Sequence, residues 1–392
     1  MSDKPDDICP RIDRVNDSPT HPASPPIYPT SVWQCEDPQQ AYEILEGHQP
    51  GYVYQRGDHP NADVFAEKIK QLHGAECVAV ASSGMGAMVT AALSQLQSGD
   101  HIVISNQLYG ESSIFFRDEL SRTGITCDEV DTCNLEATAS VLSENTKLLV
   151  VETITNPLLR VTDISALADL CHSRGIKLLV DNTFATPVIC QPLALGADFV
   201  MESVSKMING HTDVMLGVLC GGQSDWQRVP RVLRTWGLAS SPWDCWLATR
   251  GMATLHLRIQ QAAQNAMHVA QWLSDRKEIE RVDYPGLDNH PDRELAKRQL
   301  KGGSGNMLTF HLRDGRHAAD SFIKAAHQIP FCPSLGEACT TLSHPQSTSH
   351  RALSEDRRLS LGITGGTIRL SVGIESADFI QNALSEGLES LG

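Results

Sequence analysis

The sequence predicts an α/β protein in which a large domain with a mainly parallel sheet precedes a smaller C-terminal α/β domain. From about residue 75, short uninterrupted apolar runs alternate with helical stretches, a pattern typical of parallel sheets that helices cover on both faces. The 392 residues also exceed the roughly 250–300 that a single hydrophobic core supports. We therefore expect an N-terminal arm over 1–50, a large domain over 51–250 and a small domain over 251–392.

The N-terminal arm is predicted to be extended, because the stretch PPIYPTSVW at 25–33 is rich in proline. The sequence starts with an acidic, proline-rich segment that has neither the apolar core of a signal peptide nor the Arg-rich character of a transit peptide. We therefore expect the protein to work in the cytoplasm.

Five apolar runs are predicted to form the strands of the large domain, and helical patterns separate them. The small domain is expected to begin with one long helix at 251–273 and to contain strands at 306–312 and 367–372. The five runs are CVAVAS (77–82), HIVIS (101–105), KLLVV (147–151), KLLVD (177–181) and DFVM (198–201).

Composition and charge argue against several classes of function. The 32 basic and 47 acidic residues give a net charge of −15, which repels nucleic-acid backbones and anionic membranes. No run of roughly 18 apolar residues is present to span a bilayer. The 11 cysteines are scattered without a C-x-x-C pair, so we expect free thiols and no metal site. A cleft for an anionic small molecule must then concentrate its few positive side chains locally.

Polar side chains follow each of the five apolar runs. The carboxyl ends of parallel strands meet at one edge of a sheet, and ligands of open α/β sheets bind beyond that edge. We therefore expect these side chains to line one site. They belong to Ser83-Gly84-Met85, Tyr109-Gly110-Glu111, Glu152 to Pro157, Asp181-Asn182-Thr183 and Glu202 to Lys206.

Lys206 is the strongest candidate for a catalytic group in this set. It follows Ser203 and Ser205 closely, and a glycine-containing turn comes after it. An amine at the edge of a sheet, with hydroxyl groups beside it for a phosphate, is what a lysine that bonds to a phosphorylated aldehyde requires.

Three further residues at strand ends fit the same hypothesis. Asp181 ends an apolar strand, so its carboxylate is either a helix cap or the partner of a protonated ring nitrogen. Gly84 opens a helix directly after a strand, where backbone N–H groups attract a phosphate. Tyr109 is either an ordinary half-buried aromatic residue or a side chain that stacks on a flat ring.

Nine separated motifs occur in a consistent order along the chain: YQR (54–56), SSGMGA (82–87), LYG (108–110), ETITNPLLRVTDI (152–164), LLVDNTFATP (178–187), SVSK (203–206), GHTDV (210–214), SLG (334–336) and IRLSVGIE (368–375). Together they resemble the Cys/Met-metabolism family of enzymes that depend on pyridoxal 5′-phosphate (PLP). That family includes cystathionine γ-synthase, cystathionine γ-lyase, cystathionine β-lyase, methionine γ-lyase and the homoserine sulfhydrylases. The resemblance implies PLP as cofactor and fold type I, the aspartate aminotransferase-like fold of PLP-dependent enzymes.

The resemblance also implies roles for individual residues. Lys206 and Tyr109 would be catalytic, and Asn156, Ser334 and Arg369 would bind the α-carboxylate of an amino-acid substrate. Tyr54 and Arg56 would reach the cofactor of a neighbouring subunit, which implies a homo-oligomer of the dimer-of-dimers (tetramer) type. The residues implied to bind the cofactor are Tyr54, Arg56, Gly84, Met85, Tyr109, Asp181, Thr183, Ser203, Ser205 and Lys206.

Some positions depart from the family pattern and bear on the reaction. Glu111 stands where methionine γ-lyases place a cysteine, and Cys339 stands where many γ-acting members have a glutamate. Ser334-Leu335, instead of the Ser-Trp of β-lyases, favours chemistry at the γ-carbon. We expect γ-elimination or γ-replacement of the cystathionine γ-lyase or γ-synthase type. A cystathionine β-lyase, an O-acylhomoserine sulfhydrylase and a catalytically inactive PLP-fold scaffold are the alternatives.

Overall fold

The computed structural model describes residues 22–392, which form two β-sheets with helices packed around them. Residues 1–21 lie outside the described residues, so the expectations placed on the acidic start of the arm and on Cys9 fall there. Among the described residues, no helix combines the length and apolarity needed to cross a membrane.

The described part of the arm is extended at 25–33, as its prolines predict. A short helix that was not predicted, α1 (Pro38–Leu45), follows it. This helix begins there because the Asp37 carboxylate accepts a hydrogen bond from the backbone N–H of Gln40 at 2.8 Å, and because proline suits the first helical turn.

The large sheet and its helices occupy the middle of the chain. Their order along the chain is α2 (Pro60–His73), β1 (Cys77–Ala81), α3 (Gly84–Gln95), β2 (His101–Ser105), α4 (Gly110–Ile114), β3 (Thr126–Val130), α5 (Leu135–Val141), β4 (Thr146–Glu152), α6 (Ile164–His172), β5 (Lys177–Asp181), α7 (Thr186–Ile189), β6 (Phe199–Ser203), β7 (Gly217–Gly221), α8 (Val229–Thr235) and α9 (Pro242–Met252).

The large sheet is mainly parallel, as predicted, and its strand order is β1-β7-β6-β5-β4-β2-β3. The neighbours from β6 to β3 pair in parallel, whereas β7 runs antiparallel to both β1 and β6. The two faces of β4 are buried in different hydrophobic clusters, with Leu149 and Val151 in one and Leu148 and Val150 in the other. Helices therefore cover both faces of the sheet, and its carboxyl edge is the place left for a site.

Strands β3 and β7 were missing from the sequence prediction. The residues of β3 are polar and lie at the edge of the sheet, so they lack an apolar run. Strand β7 is buried but begins and ends with glycine. A Cβ atom on Gly217 would lie 2.1 Å from the carbonyl oxygen of Ser83, so glycine is required where β7 passes the turn before α3.

The second sheet, in the region predicted to form the small domain, is antiparallel. The elements of this region are α10 (Leu255–Ser274), β8 (Ile279–Asp283), α11 (Arg293–Gln299), β9 (Met307–Leu312), α12 (Gly315–Ala325), β10 (Thr341–Ser343), α13 (Glu355–Ser360), β11 (Thr367–Ser371) and α14 (Ala377–Glu389). The strand order is β10-β11-β9-β8. The strands expected at 306–312 and 367–372 correspond to β9 and β11.

The single long helix expected at 251–273 is wrong, because the chain breaks between α9 and α10. Thr254 has φ −111° and ψ 5°, which is not helical. The guanidinium group of Arg258 donates to the carbonyl oxygen of Gly251 at 3.0 Å and to that of Met207 at 2.7 Å. It thereby satisfies the last turn of α9 and ties the break to the segment that follows Lys206.

Candidate active site

The predicted site lies where strands β4, β5 and β6 end side by side. Glu152 is opposite Asp181 in the register of β4 and β5, and Asp181 is opposite Met201 in that of β5 and β6. The parallel pairing therefore brings the polar residues after these strands to one edge of the sheet, as the sequence predicts.

Lys206 lies in the turn after β6. Its backbone N–H donates to the Ser203 carbonyl oxygen at 3.1 Å, and its Nζ donates to Ser334 Oγ at 2.9 Å. Burial lowers the pKa of the Lys206 amine; the charge of Glu337 raises it, and that of Arg369 lowers it again. A lowered pKa increases the fraction of neutral amine, the form that bonds to a carbonyl carbon.

Asp181 presents one carboxylate oxygen to its own chain. Oδ1 accepts hydrogen bonds from the backbone N–H of Thr183 at 2.9 Å and from its hydroxyl at 2.5 Å. The Thr183 hydroxyl in turn accepts from the backbone N–H of Ser203 at 2.9 Å. Burial raises the pKa of Asp181 to about 6, against the lowering effect of the Thr183 hydrogen bonds. Thr183 thus fixes the carboxylate and leaves Oδ2 for a cationic partner.

The start of α3 forms a cradle suited to a phosphate group. Ser83 caps the helix by accepting from the backbone N–H of Gly86 at 2.9 Å. The N–H groups of the first helical residues, Gly84 and Met85, have no partner within the helix. A Cβ atom on Gly84 would lie 2.8 Å from Cβ of Ser203, so only glycine keeps this space open.

The two serines before Lys206 differ in availability. The Ser203 side chain faces Gly84 across the cradle. The Ser205 hydroxyl donates to the carbonyl oxygen of Leu216 at 3.3 Å and accepts from its backbone N–H at 3.0 Å. Ser203 is therefore ready for a phosphate oxygen, whereas Ser205 has to exchange a backbone partner first.

The three residues predicted to bind a carboxylate lie together. The Arg369 guanidinium group donates through Nη1 to Oδ1 of Asn156 at 2.8 Å and through Nη2 to the carbonyl oxygen of Ser334 at 3.0 Å. Its Nε is buried and has no partner among the described residues. Burial lowers the pKa of Arg369 to about 10, so it stays cationic at neutral pH. The arrangement leaves a fixed donor for a carboxylate next to Lys206.

Tyr109 and Asn156 are held by Glu152, a residue whose role the sequence did not reveal. Glu152 Oε1 accepts from the backbone N–H of Tyr109 at 2.7 Å, and Oε2 accepts from that of Asn156 at 3.1 Å. Burial raises the pKa of Glu152 well above its usual value, and Asp181 raises it further. The sequence did offer one signal of this role, because Glu152 is a carboxylate at the end of a buried strand. Such a group needs hydrogen-bond partners.

Tyr54 and Arg56 do not join the other predicted residues within one chain. Tyr54 is exposed, and the Arg56 guanidinium lies 5.4 Å from the centre of its ring. Arg56 lines a surface cavity together with Asp58, His59 and Ser240. This position agrees with side chains that act outside their own subunit.

The site fits PLP. The glycine-lined cradle at α3 suits a phosphate, the open oxygen of Asp181 suits a protonated ring nitrogen, and the desolvated amine of Lys206 suits an aldehyde. In the described part of the chain, no three His, Cys, Asp or Glu side chains come together as a metal site. Fold and site thus define a class: α/β enzymes that hold a phosphorylated aromatic aldehyde beside a lysine.

Comparison with known proteins makes this class specific. Residues 9–389 match the family of Cys/Met metabolism PLP-dependent enzymes. The O-succinylhomoserine sulfhydrylase of Pseudomonas aeruginosa is 38% identical over 93% of this chain and 90% of its own length. The L-methionine γ-lyase of Porphyromonas gingivalis is 38% identical over 93% of this chain and 92% of its own. The crystal structure of cystathionine γ-synthase from Xanthomonas oryzae in complex with cystathionine superposes with a TM-score of 0.89, at 33% identity, over 94% of this chain and 93% of that chain.

The chain belongs to the Cys/Met metabolism family of PLP-dependent enzymes. PLP is therefore its cofactor, and its fold is fold type I of PLP-dependent enzymes. The predictions of family, fold class, enzyme class and cofactor are confirmed. The roles of the individual residues remain predictions that the geometry above makes specific.

Proposed function

We propose that this enzyme catalyses γ-replacement or γ-elimination in transsulfuration, on cystathionine or on an O-acylated homoserine. The observation that carries this proposal is the hydrogen-bonded set of Arg369, Asn156 and Ser334 beside the Lys206 amine. A donor set of this kind holds the α-carboxylate of an amino acid, and so places the α-carbon close to the lysine.

The residues of the chain divide the work of the reaction. The cofactor, when bound, supplies the electron sink that stabilises negative charge on the substrate. Arg369 and Asn156 orient the substrate through its carboxylate, and Asp181 holds the ring nitrogen. The Lys206 amine takes the proton from the α-carbon and then moves a proton at the β-carbon. The Tyr109 hydroxyl is the candidate acid or base for the departing or arriving sulfur group.

One local feature favours γ-chemistry over β-elimination, and a second argues against methionine γ-lyase activity. Leu335, directly after Ser334, is a buried aliphatic residue where β-lyases have an aromatic one. Glu111, in place of the cysteine of methionine γ-lyases, lies 3.8 Å from Arg351, so its carboxylate has a cationic neighbour at the rim of the site. A β-lyase, an O-acylhomoserine sulfhydrylase and an inactive scaffold stay as the alternatives that the experiment below separates.

We further propose that the enzyme is a homo-oligomer in the cytoplasm, built from dimers in which Tyr54 and Arg56 complete the site of the partner. The exposure of Tyr54 and the position of Arg56 at a surface cavity support this. Trp243 and Leu257 of the large- and small-domain helices are also exposed, and such apolar side chains are typical of surfaces that oligomers bury. The division into the arm, the large domain and the small domain is retained within this proposal.

Product analysis tests the reaction. The purified enzyme with PLP is incubated with cystathionine, with methionine, and with O-acetyl- or O-succinylhomoserine plus either cysteine or sulfide. 2-Oxobutanoate from cystathionine identifies γ-elimination, whereas cystathionine from the acylated donor and cysteine identifies γ-replacement of the γ-synthase type. Homocysteine from the acylated donor and sulfide, without cystathionine in the mixture with cysteine, identifies the O-acylhomoserine sulfhydrylase. Pyruvate and homocysteine from cystathionine, without 2-oxobutanoate, show a β-lyase and contradict the proposal. No turnover in any mixture, at full PLP occupancy, favours the scaffold. The Lys206→Ala variant is the negative control for each reaction.

A further inference from the structure

A histidine and a glutamate are in close contact and buried behind the candidate active site. Nε2 of His73, the last residue of α2, lies 3.1 Å from Oε1 of Glu202 on β6, and the two side chains are 0% and 1% exposed. Neither ring nitrogen of His73 has a hydrogen-bond partner among the described residues, and Oε2 of Glu202 has none either. Burial of both groups costs free energy unless their charges compensate each other, so the pair requires an explanation beyond packing.

Hydrogen bonds connect this pair to Asp181. Glu202 Oε1 accepts from Nδ2 of Asn182, the residue after Asp181, at 2.8 Å. Oδ1 of Asn182 accepts from the Thr153 hydroxyl at 2.7 Å, and the Thr153 N–H donates to the Asp181 carbonyl oxygen at 3.0 Å. Glu202 is also close enough for its negative charge to raise the pKa of the Asp181 carboxyl, after burial as the main cause.

Three carboxylates thus lie at the ends of the adjacent strands β4, β5 and β6, those of Glu152 and Glu202 buried and that of Asp181 half-buried. The chain supplies basic side chains for two of them. The positive charge of Arg369 lowers the pKa of Glu152, and His73 is in contact with Glu202. Asp181 has no cationic side chain within ion-pair distance among the described residues, which leaves it for the ring nitrogen of the cofactor. An uncompensated Glu202 would favour the protonated, neutral form of Asp181.

The other titratable groups around Glu202 carry no compensating charge. The thiols of Cys190 and Cys220 face it, and for both of them burial, with the charge of Glu202, raises the pKa above its usual value. They are therefore neutral thiols at neutral pH. His73 is the only basic side chain in contact with Glu202 within the described residues that pack around it.

We propose that His73 and Glu202 are positioning residues for the cofactor: the contact of His73 with Glu202 offsets the negative charge of that carboxylate, and so keeps Asp181 ionised opposite the ring nitrogen. The same carboxylate, through Asn182, also holds the segment that carries Asp181. This role concerns the cofactor and holds for any carbon–sulfur reaction that the enzyme catalyses, so it stands even where the proposed reaction fails.

Three variants of the holoenzyme test this role: His73→Gln, Glu202→Gln and the double variant. The first readout is the midpoint pH at which the visible band of bound PLP titrates, and the second is the Kd for PLP. His73→Gln leaves Glu202 uncompensated, which raises the midpoint pH and weakens PLP binding about tenfold. The double variant is neutral again, and we expect it to return to within about threefold of the natural enzyme in Kd and to the original midpoint.

If His73 and Glu202 contribute only to packing, the double variant should instead be more impaired than either single variant. The effects of losing the two buried side chains would then add. The inference is overturned where the double variant is as impaired as His73→Gln, or where His73→Gln leaves the midpoint unchanged. If His73→Gln does not fold, the Glu202→Gln variant provides the test. A midpoint pH at or below that of the natural enzyme supports the positioning role, whereas a higher midpoint pH overturns it. His311→Gln is the matched control, since it breaks a buried contact of 2.8 Å with Asp283 in the small domain and should leave the midpoint unchanged.

Discussion

The Nζ atom of Lys206 donates a hydrogen bond to Oγ of Ser334 at 2.9 Å, across 128 positions of the sequence. The carbonyl oxygen of the same serine accepts from Arg369 at 3.0 Å. A Cβ atom on Gly336 would lie 2.6 Å from the backbone nitrogen of Met207, so this turn of the small domain packs directly on the lysine segment. The small domain therefore sets both the environment of the reactive amine and the position of the carboxylate-binding group.

Arg369→Lys should raise KM for every amino-acid substrate by about 10- to 100-fold, with a much smaller change in kcat, because lysine cannot make the two parallel hydrogen bonds of a guanidinium group. Initial rates over a range of substrate concentrations measure this. Arg298→Lys changes an exposed arginine paired with Asp163 and is the matched control, with kinetics like the natural enzyme. An unchanged KM in Arg369→Lys would remove this arginine from the substrate site.

Glu337→Gln should alter the choice between acylated donors. Glu337 is half-buried, follows the turn at Ser334, and raises the pKa of both Lys206 and Arg369. Its negative charge therefore opposes a donor with a distal carboxylate, such as O-succinylhomoserine, more than O-acetylhomoserine.

We expect Glu337→Gln to raise the ratio of kcat/KM for O-succinylhomoserine to that for O-acetylhomoserine by roughly fivefold. The exposed Glu389→Gln variant should leave this ratio as it is. A ratio that falls or stays constant in Glu337→Gln places the acyl group of the donor away from this side chain.

Mixed dimers test whether Arg56 acts in the partner subunit. Arg56→Ala and Lys206→Ala should each be nearly inactive alone. When both are present in one random mixture, half of the dimers contain one site with Lys206 of one chain and Arg56 of the other. We expect recovery of about a quarter of the natural activity. If no activity returns although mass spectrometry shows mixed dimers, Arg56 acts within its own chain or does not act in the site.

His350 predicts a pH dependence of stability. It is 4% exposed, and burial together with the charge of Arg369 lowers its pKa from 6.5 to about 4. Between these two pH values the unfolded chain binds a proton that the folded chain does not, so the folded state loses stability as the pH falls. The loss amounts to roughly 3 kcal/mol when the pH has fallen below both values.

The variant His350→Gln removes this contribution, so its free energy of unfolding should fall less than that of the natural protein between pH 7 and pH 4.5. Urea unfolding of the PLP-free protein at both pH values measures the difference. The raised pKa values of Asp181 and Glu152 act in the opposite direction but are common to both proteins. If the free energies of unfolding of the variant and the natural protein fall in parallel with pH, His350 is protonated in the folded state and the prediction is contradicted. The variant His256→Gln, at an exposed histidine, is the control and should give such a parallel dependence.

Much of the fold followed from the sequence because parallel strands buried on both faces leave continuous apolar runs. The position of Lys206 after β6 and of Asp181 at the end of β5 followed from the same runs, since parallel strands bring their ends together. Strand β7 was not predicted from the sequence because Gly217 interrupts its apolar pattern. Glycine is required at this position because the strand passes close to Ser83.

Tertiary contacts account for the parts of the site that the sequence did not reveal. Glu152 was visible only as a strand-end residue, and its hydrogen bonds to Tyr109 and Asn156 depend on how two loops fold back. Glu202 was visible only as one of the polar residues that follow the strands, whereas the structure places it in contact with His73 from a distant helix. Long-range contacts of this kind leave no local periodicity.

The most direct test of the account is to identify the lysine that carries PLP. The holoenzyme is reduced with sodium borohydride, digested, and analysed by peptide mass spectrometry. The account predicts one phosphopyridoxyl group per chain, on the peptide that contains Ser203, Ser205 and Lys206, and none in Lys206→Ala. A stoichiometric label on another lysine, or no label at full PLP occupancy, would contradict it.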